Sequence, residues 1–175
     1  MEQKATLAGG CFWCLEAVYQ NVKGIGSVVS GYSGGRIDNP TFDKLHLMDT
    51  GHAETVQIIF DPKIIMYEKL LEIFYSIHDP TTLNRQGYDV GEEYRSVIFY
   101  HDDEQRKIAE EVTENFAAKI WSDPIVTQIV PFKKFWLAEE FHQNFYKNNE
   151  NVGYCRVIIN PKLEKFKKQF KDLLK

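Results

Sequence analysis

The chain has 175 residues, 43% hydrophobic and 14% aromatic, with 21 basic and 25 acidic residues and a formal net charge of −4. Such a length and apolar content suit one compact domain with a true core and exclude a disordered tail. The charge balance gives no reason to expect nucleic acid as a partner, and no run of about 18 apolar residues is present to span a membrane.

Residues Met1 to Ala8 lack an apolar signal core, so a cytoplasmic protein is expected. Three cysteines in a reducing compartment are inert, metal-bound or catalytic thiols, not a disulfide scaffold. Ala5–Ala8 reads as a short buried strand, broken by Gly9-Gly10. Leu15, Val18, Tyr19 and Val22 then recur at helical spacing, which puts Cys11 at a strand-to-helix junction. Gly24-Ile25-Gly26 is the next break, and Val28–Tyr32 is strand-like. Gly34 to Gly51 is polar and turn-rich, a long functional loop. Glu54–Phe60 is a strand closed by Asp61-Pro62. Leu70, Leu71, Phe74 and Ile77 mark an amphipathic helix, and Asp79 to Glu93 reads as a second long loop.

Arg95–Tyr100 follows as a strand rich in β-favouring side chains. Asp102 caps the next helix, Gln105 completes a box-like pattern, and Ile108, Val112, Phe116 and Ile120 line one face. Ile125–Val130 is a further strand, closed by Pro131. Leu137, Phe141 and Phe145 suggest a short helix, and Arg156–Ile159 a strand after Cys155. Residues 162–175 form a basic amphipathic helix, read as docked on the surface, with a membrane surface or an acidic partner as the other reading. The whole suits an α+β fold with helices covering one sheet, its strand order left open, and a single domain over 1–175.

The segment Gly9-Gly10-Cys11-Phe12-Trp13-Cys14 carries the chemistry. A thiol is a nucleophile as thiolate, and the free N–H groups of a helix start stabilise an anion, so a depressed pKa is expected at Cys11. Phe12 and Trp13 fall outside the helix's apolar stripe and either wall an apolar pocket beside the sulfur or pack in the core. Cys14 shares a helix face with Cys11, as in dithiol oxidoreductases. No second ligand pair accompanies these cysteines, so no metal site is expected. Cys155, on spacing alone, is as much a small hydrophobe as a reactive thiol.

Gly10-Cys11-Phe12-Trp13 resembles the active-site motif of the peptide methionine-(S)-sulfoxide reductases. Gly31-Tyr32-Ser33-Gly34-Gly35, Asn39-Pro40-Thr41, Thr50-Gly51-His52-Ala53-Glu54, Gln86 to Gly91 with Tyr94-Arg95-Ser96, Ala138 to Gln143 and Gly153-Tyr154-Cys155 fit the same family in order. The resemblance runs from about Gly9 to Ile159 and implies a ferredoxin-like two-layer α/β sandwich with long irregular loops. It implies reduction of the S epimer of methionine sulfoxide, peptide-bound and free, by a monomer needing no cofactor and recycled by thioredoxin. Cys11 would attack the sulfoxide sulfur, Glu54 protonate its oxygen, and Tyr94 hydrogen-bond to it. Phe12 and Trp13 would hold the S-methyl group, and Asp89 the substrate backbone.

Cys155 is the favoured resolving thiol by this resemblance, with Cys14 close behind or both in relay. His52 and His142 would orient loops, not transfer protons. Phe42 stands where the family commonly has tyrosine, leaving more of the oxygen's hydrogen bonding to Glu54 and Tyr94. The alternative activity is that of a Cys-x-x-Cys thiol–disulfide oxidoreductase.

Overall fold

Strand periodicity sets the first element, β1 (Gln3–Ala8), in a computed structural model that describes residues 1–175. Ala5 and Leu7 enter the main core, while Thr6 turns away to bond the ring of His101 at 2.8 Å. After the glycines come α1 (Phe12–Tyr19), β2 (Ile25–Ser33), α2 (Phe42–Leu47), β3 (Ala53–Phe60) and α3 (Tyr67–Ile77). A small hairpin follows, β4 (Arg85–Gln86) with β5 (Asp89–Val90), then β6 (Val97–Tyr100) and α4 (Asp103–Val112). That helix widens into a π-helical turn at Thr113–Ala117 and ends in α5 (Ala118–Ile120). The chain closes with β7 (Gln128–Pro131), β8 (Phe135–Leu137), α6 (Phe145–Asn148), a second π-helical turn at Cys155–Ile159, and α7 (Asn160–Gln169).

Six strands form one mixed sheet in the order β7-β6-β1-β3-β2-β8, with every neighbouring pair antiparallel except β6 and β7. Helices α1, α3, α4 and α7 bury their apolar faces with one side of this sheet in a common core. The other side carries a small cluster of Ala8, Ala53, Val97 and Phe99. Side chains alternate along a strand, and Val56, Ile58 and Phe60 of β3 all enter the main core. Glu54, two residues before Val56, therefore points to the helix-covered side, opposite Tyr32 of β2. A one-residue slip would turn this carboxyl to the other face.

Several expectations are revised. The loop from Gly34 to Gly51 contains α2, whose first turn is capped by Thr41 Oγ1 accepting the Lys44 N–H at 3.2 Å. Leu45 is its one buried residue, too little to show as a periodic stripe. The second loop folds into the β4–β5 hairpin around Gly87, at φ +59°. Leu137, Phe141 and Phe145 do not share a helix. Leu137 ends β8, paired to Gly31 at the sheet edge, Phe141 is exposed, and left-handed Asn144 precedes Phe145.

Arg156–Ile159 is not a strand. Cys155, Ile159, Leu163 and Phe166 are buried at helical spacing along one continuous stripe, so burial against the helices wins over local β preference. Within the tail, the helix starts at Asn160 and stops at Gln169; Leu174 instead bridges back to Val22. Ile120 is exposed, and Ala117 takes the buried place next to Val112 because the π-helical turn shifts the face.

Candidate active site

Two glycines place Cys11. Gly10 has φ +83°, and a Cβ there would sit 2.6 Å from Gln86 Cγ, so only glycine fits. Its N–H donates to the Tyr94 carbonyl at 3.2 Å, fixing the turn. Cys11 then caps α1 with extended backbone, and its carbonyl accepts the Cys14 N–H at 3.1 Å.

Glu54 reaches this helix start from β3. Its Oε2 accepts the Phe12 N–H at 3.2 Å, one of the donors a helix leaves free at its beginning. The carboxyl is 1% exposed. Burial drives its pKa well above the ordinary carboxylate range despite the Phe12 hydrogen bond, and the charges of Asp89, Glu93 and Cys14 push the same way. Such a shift favours the protonated carboxyl, the form that can donate. Tyr94 faces the same space. Burial, then the charges of Glu54, Asp89 and Cys11, keep its phenol protonated as well.

The expected depression of the Cys11 pKa is not found. Burial raises it most, followed by the hydrogen bond to Cys14 and the charges of Glu54 and Cys14, against a lowering by the Trp13 N–H. The lowered thiol is Cys14, brought down to about 7 by the hydrogen bond from Cys11 first, then by the charge of Lys162 and the hydroxyl of Tyr154. Burial of two thiols beside a carboxyl disfavours more than one negative charge there, and Lys162 and Tyr154 favour placing it on Cys14. Helix-start N–H groups alone do not overcome this burial.

Cys155 is fully buried. Its pKa is raised by burial, then by the charges of Cys14 and Glu150. The thiol that it senses is thus Cys14, while Cys14 senses Cys11. All three thiols are free.

Phe12 is fully buried against Tyr32, with ring centroids 5.7 Å apart, whereas Trp13 is partly open. Trp13 is held on three sides. Its indole N–H donates to His142 Nδ1 at 3.1 Å, its ring stacks on Phe145 at 3.6 Å, and Tyr154 meets it edge-on at 5.7 Å. His142 thus fixes the indole of Trp13, where the sequence reading has it orient a loop. His52 plays the loop role also expected, accepting the Gly35 N–H through Nδ1 and donating from Nε2 to the Ile37 carbonyl. Phe42 starts α2 over the site, its ring 4.6 Å from that of His142 and its N–H on Glu139 Oε2.

Asp89 lies in the β4–β5 hairpin and accepts the Tyr154 hydroxyl at 2.7 Å. That hydroxyl is also 4.0 Å from Cys14 Sγ. Sequence reasoning gave Tyr154 no role beyond its motif and gave Lys162 none at all. Helical periodicity through Cys155, Ile159 and Leu163 is the signal that could have turned both toward Cys14. Glu139 was likewise missed; it ties the Tyr32 hydroxyl to the start of α2.

With this geometry in place, the comparisons are direct. The family model described as peptide methionine sulfoxide reductase matches residues 3–174. A peptide methionine sulfoxide reductase MsrA of Sulfolobus acidocaldarius is 55% identical over 168 residues, covering 96% of this chain and 95% of that protein. The crystal structure of Mxr1 from Saccharomyces cerevisiae in reduced form superposes with a TM-score of 0.83 at 36% identity, covering 88% of this chain and 89% of that one. Mxr1 in complex with Trx2 matches with a TM-score of 0.59 at 32% identity, over 82% of this chain and 84% of that one. The family model spans residues 3–174, which include every segment that builds the site, and the chain belongs to the peptide methionine sulfoxide reductase family.

Proposed function

We propose that the chain reduces the S epimer of methionine sulfoxide, free and in peptides, with Cys11 as nucleophile. The observation that carries this reading is the buried Glu54 carboxyl, pinned to the Phe12 N–H beside the Cys11 thiol, where burial favours its protonated form. A sulfoxide oxygen leaves only once protonated, and here the acid and the sulfur nucleophile meet in one dry site. Phe12 and Trp13 supply the apolar wall for the S-methyl group, and Asp89 engages the substrate backbone.

Cys11 passes its proton to the Cys14 thiolate and attacks the sulfoxide sulfur. Glu54 protonates the oxygen, with Tyr94 as second donor. The S–O bond breaks and the oxygen leaves as water. A water oxygen then attacks Cys11 Sγ, the new bond between Cys11 and the methionine sulfur breaks with its electron pair going to methionine, and methionine departs, leaving Cys11 as sulfenic acid. Cys14 then attacks that sulfur, water leaves, and a Cys11–Cys14 disulfide forms. Cys155 takes over Cys14 by exchange, freeing Cys11, and an external dithiol reduces the last disulfide. Sequence order favoured Cys155 as the first resolver; the pairing of Cys11 with Cys14, and of Cys14 with Cys155, supports the relay. Thioredoxin is the proposed reductant, supported by the resemblance to Mxr1, whose structure is known with Trx2.

The same proposal covers a single domain over 1–175 acting as a monomer in the cytoplasm, its one-domain part supported by the family model that matches residues 3–174 as a unit. No helix is long and apolar enough to cross a membrane. The ferredoxin-like reading rests on the run β1-α1-β2-β3-α3-β6 with sheet order β6-β1-β3-β2. The test is turnover of separated S and R epimers of a methionine sulfoxide peptide with dithiothreitol. Reduction of S alone is expected; reduction of R, or of neither epimer, would overturn the proposal.

A further inference from the structure

A second cavity lies on the face of the sheet turned away from the helices, with a volume of about 420 Å3. Phe99, Val130 and Trp136 give it an apolar side. Four cations line it, Arg36, Arg95, Lys133 and Lys134, against one carboxylate, Asp38, in a chain whose net charge is negative. Arg36 is already paired with Asp49.

Arg95 is not so paired. It is 8% exposed and takes part in none of the chain's salt bridges. Its Nε–H donates to Gln128 Oε1 at 3.2 Å and its Nη1 to the Glu92 carbonyl at 3.1 Å. Nη2 is left against Gly34, where a Cβ would come within 2.9 Å of it. The Glu92 carboxylate supports the guanidinium's charge from a distance, while burial opposes it. A buried cation without a counter-ion is costly, and an anion in the cavity relieves that cost. Lys134 already has a fixed place, its Nζ 3.7 Å from the centre of the Trp136 ring.

We propose that this cavity binds a small phosphate-bearing molecule, its phosphate held by Arg95, Lys133 and Lys134 and its body on Phe99, Val130 and Trp136. Phosphate suits the donors better than a carboxylate does. Hydrogen bonds to Gln128 and Glu92 leave Arg95 without its full side-on fork, the geometry that favours carboxylates. The two ammoniums act as point charges, which a compact, multiply charged anion with three free oxygens satisfies from several directions. The volume lies in the range of small-ligand sites.

Calorimetric titration of the full chain with inorganic pyrophosphate, at fixed ionic strength, tests this. One saturable site is expected, weakened tenfold or more in K133E/K134E. It should be little changed in K107E/K119E, which makes the same charge change on exposed parts of the α4 and α5 segments. Equal weakening in both variants, absence of saturation, or binding of citrate in preference to pyrophosphate would each overturn it. The readout is binding alone, so it stands or falls independently of the reductase reading.

Discussion

At the scale of single residues, Glu54 shows how a site can oppose the stability of the fold that holds it. Its folded pKa lies well above the unfolded value, because burial penalises the charge. The folded state therefore keeps a proton that the unfolded state has lost. Stability falls as pH rises from the unfolded carboxylate pKa, about 4.3, toward the folded one. Glu54→Gln retains the shape and the bond to Phe12 without that penalty. It should melt a few degrees higher at pH 7, about 2–4 °C per kcal/mol for a chain of this size, with the gap widening as pH rises above the unfolded carboxylate pKa. Turnover should fall roughly a hundredfold or more with the acid gone. Scanning calorimetry against pH, beside an activity assay, checks both; an active Glu54→Gln would remove Glu54 from the chemistry.

At the scale of elements, α2 and the turn leading into α7 are where sequence reading and structure part company. Strands β1, β2, β3 and β6 and helices α1, α3 and α4 were legible because each buries several apolar residues at its own period. Position 54 could be placed on the active face by alternation from Val56, Ile58 and Phe60. Helix α2 buries only Leu45, so periodicity could not reveal it. Arg156–Ile159 carries β-favouring side chains, yet Cys155 and Ile159 obey a helical stripe that becomes visible only when read through to Phe166. That misreading concealed the relation of Cys14 to Tyr154 and Lys162. The acidity of Cys11 was misjudged for a different reason: helix-start donors are visible in sequence, but the burial that outweighs them is not.

Helix α2 also bears on the proposed chemistry. It carries Phe42 over the site, beside His142 and His46, without a hydroxyl to share the sulfoxide oxygen. Phe42→Tyr adds a donor there. A neutral hydrogen bond of about 1 kcal/mol, made more strongly in the transition state, should raise kcat by up to about fivefold with little change in KM. A fall in kcat in the folded variant would show that this ring only packs.

At the scale of the whole molecule, buried polar groups tie the layers together. His78 is the clearest, donating from Nδ1 to the Phe74 carbonyl at the end of α3 and accepting at Nε2 from Ser96, which also contacts Thr127. Burial lowers its pKa from 6.5 to about 4. The unfolded chain thus takes up a proton below pH 6.5 that the folded one refuses until about pH 4. Across that window stability rises with pH, by roughly 3 kcal/mol for this one group. Urea unfolding at pH 7 and pH 4.5 should show the loss on acidification, and His78→Gln, less stable at pH 7, should show a flatter slope. An unchanged slope would place the acid sensitivity elsewhere.

The proposed relay runs from Cys11 at the start of α1 to Cys155 in the turn before α7, and the central claim is that Cys11 alone does the reduction. The most direct measurement is methionine release in a single turnover, without added reductant, from the S sulfoxide by the parent chain and by Cys11→Ala, Cys14→Ala and Cys155→Ala. The account predicts no release from Cys11→Ala and one equivalent from Cys155→Ala. Cys14→Ala should also release one equivalent, more slowly at pH 7 and recovering at higher pH, since Cys11 must then ionise without its partner. Methionine released by Cys11→Ala at the parental rate would contradict it.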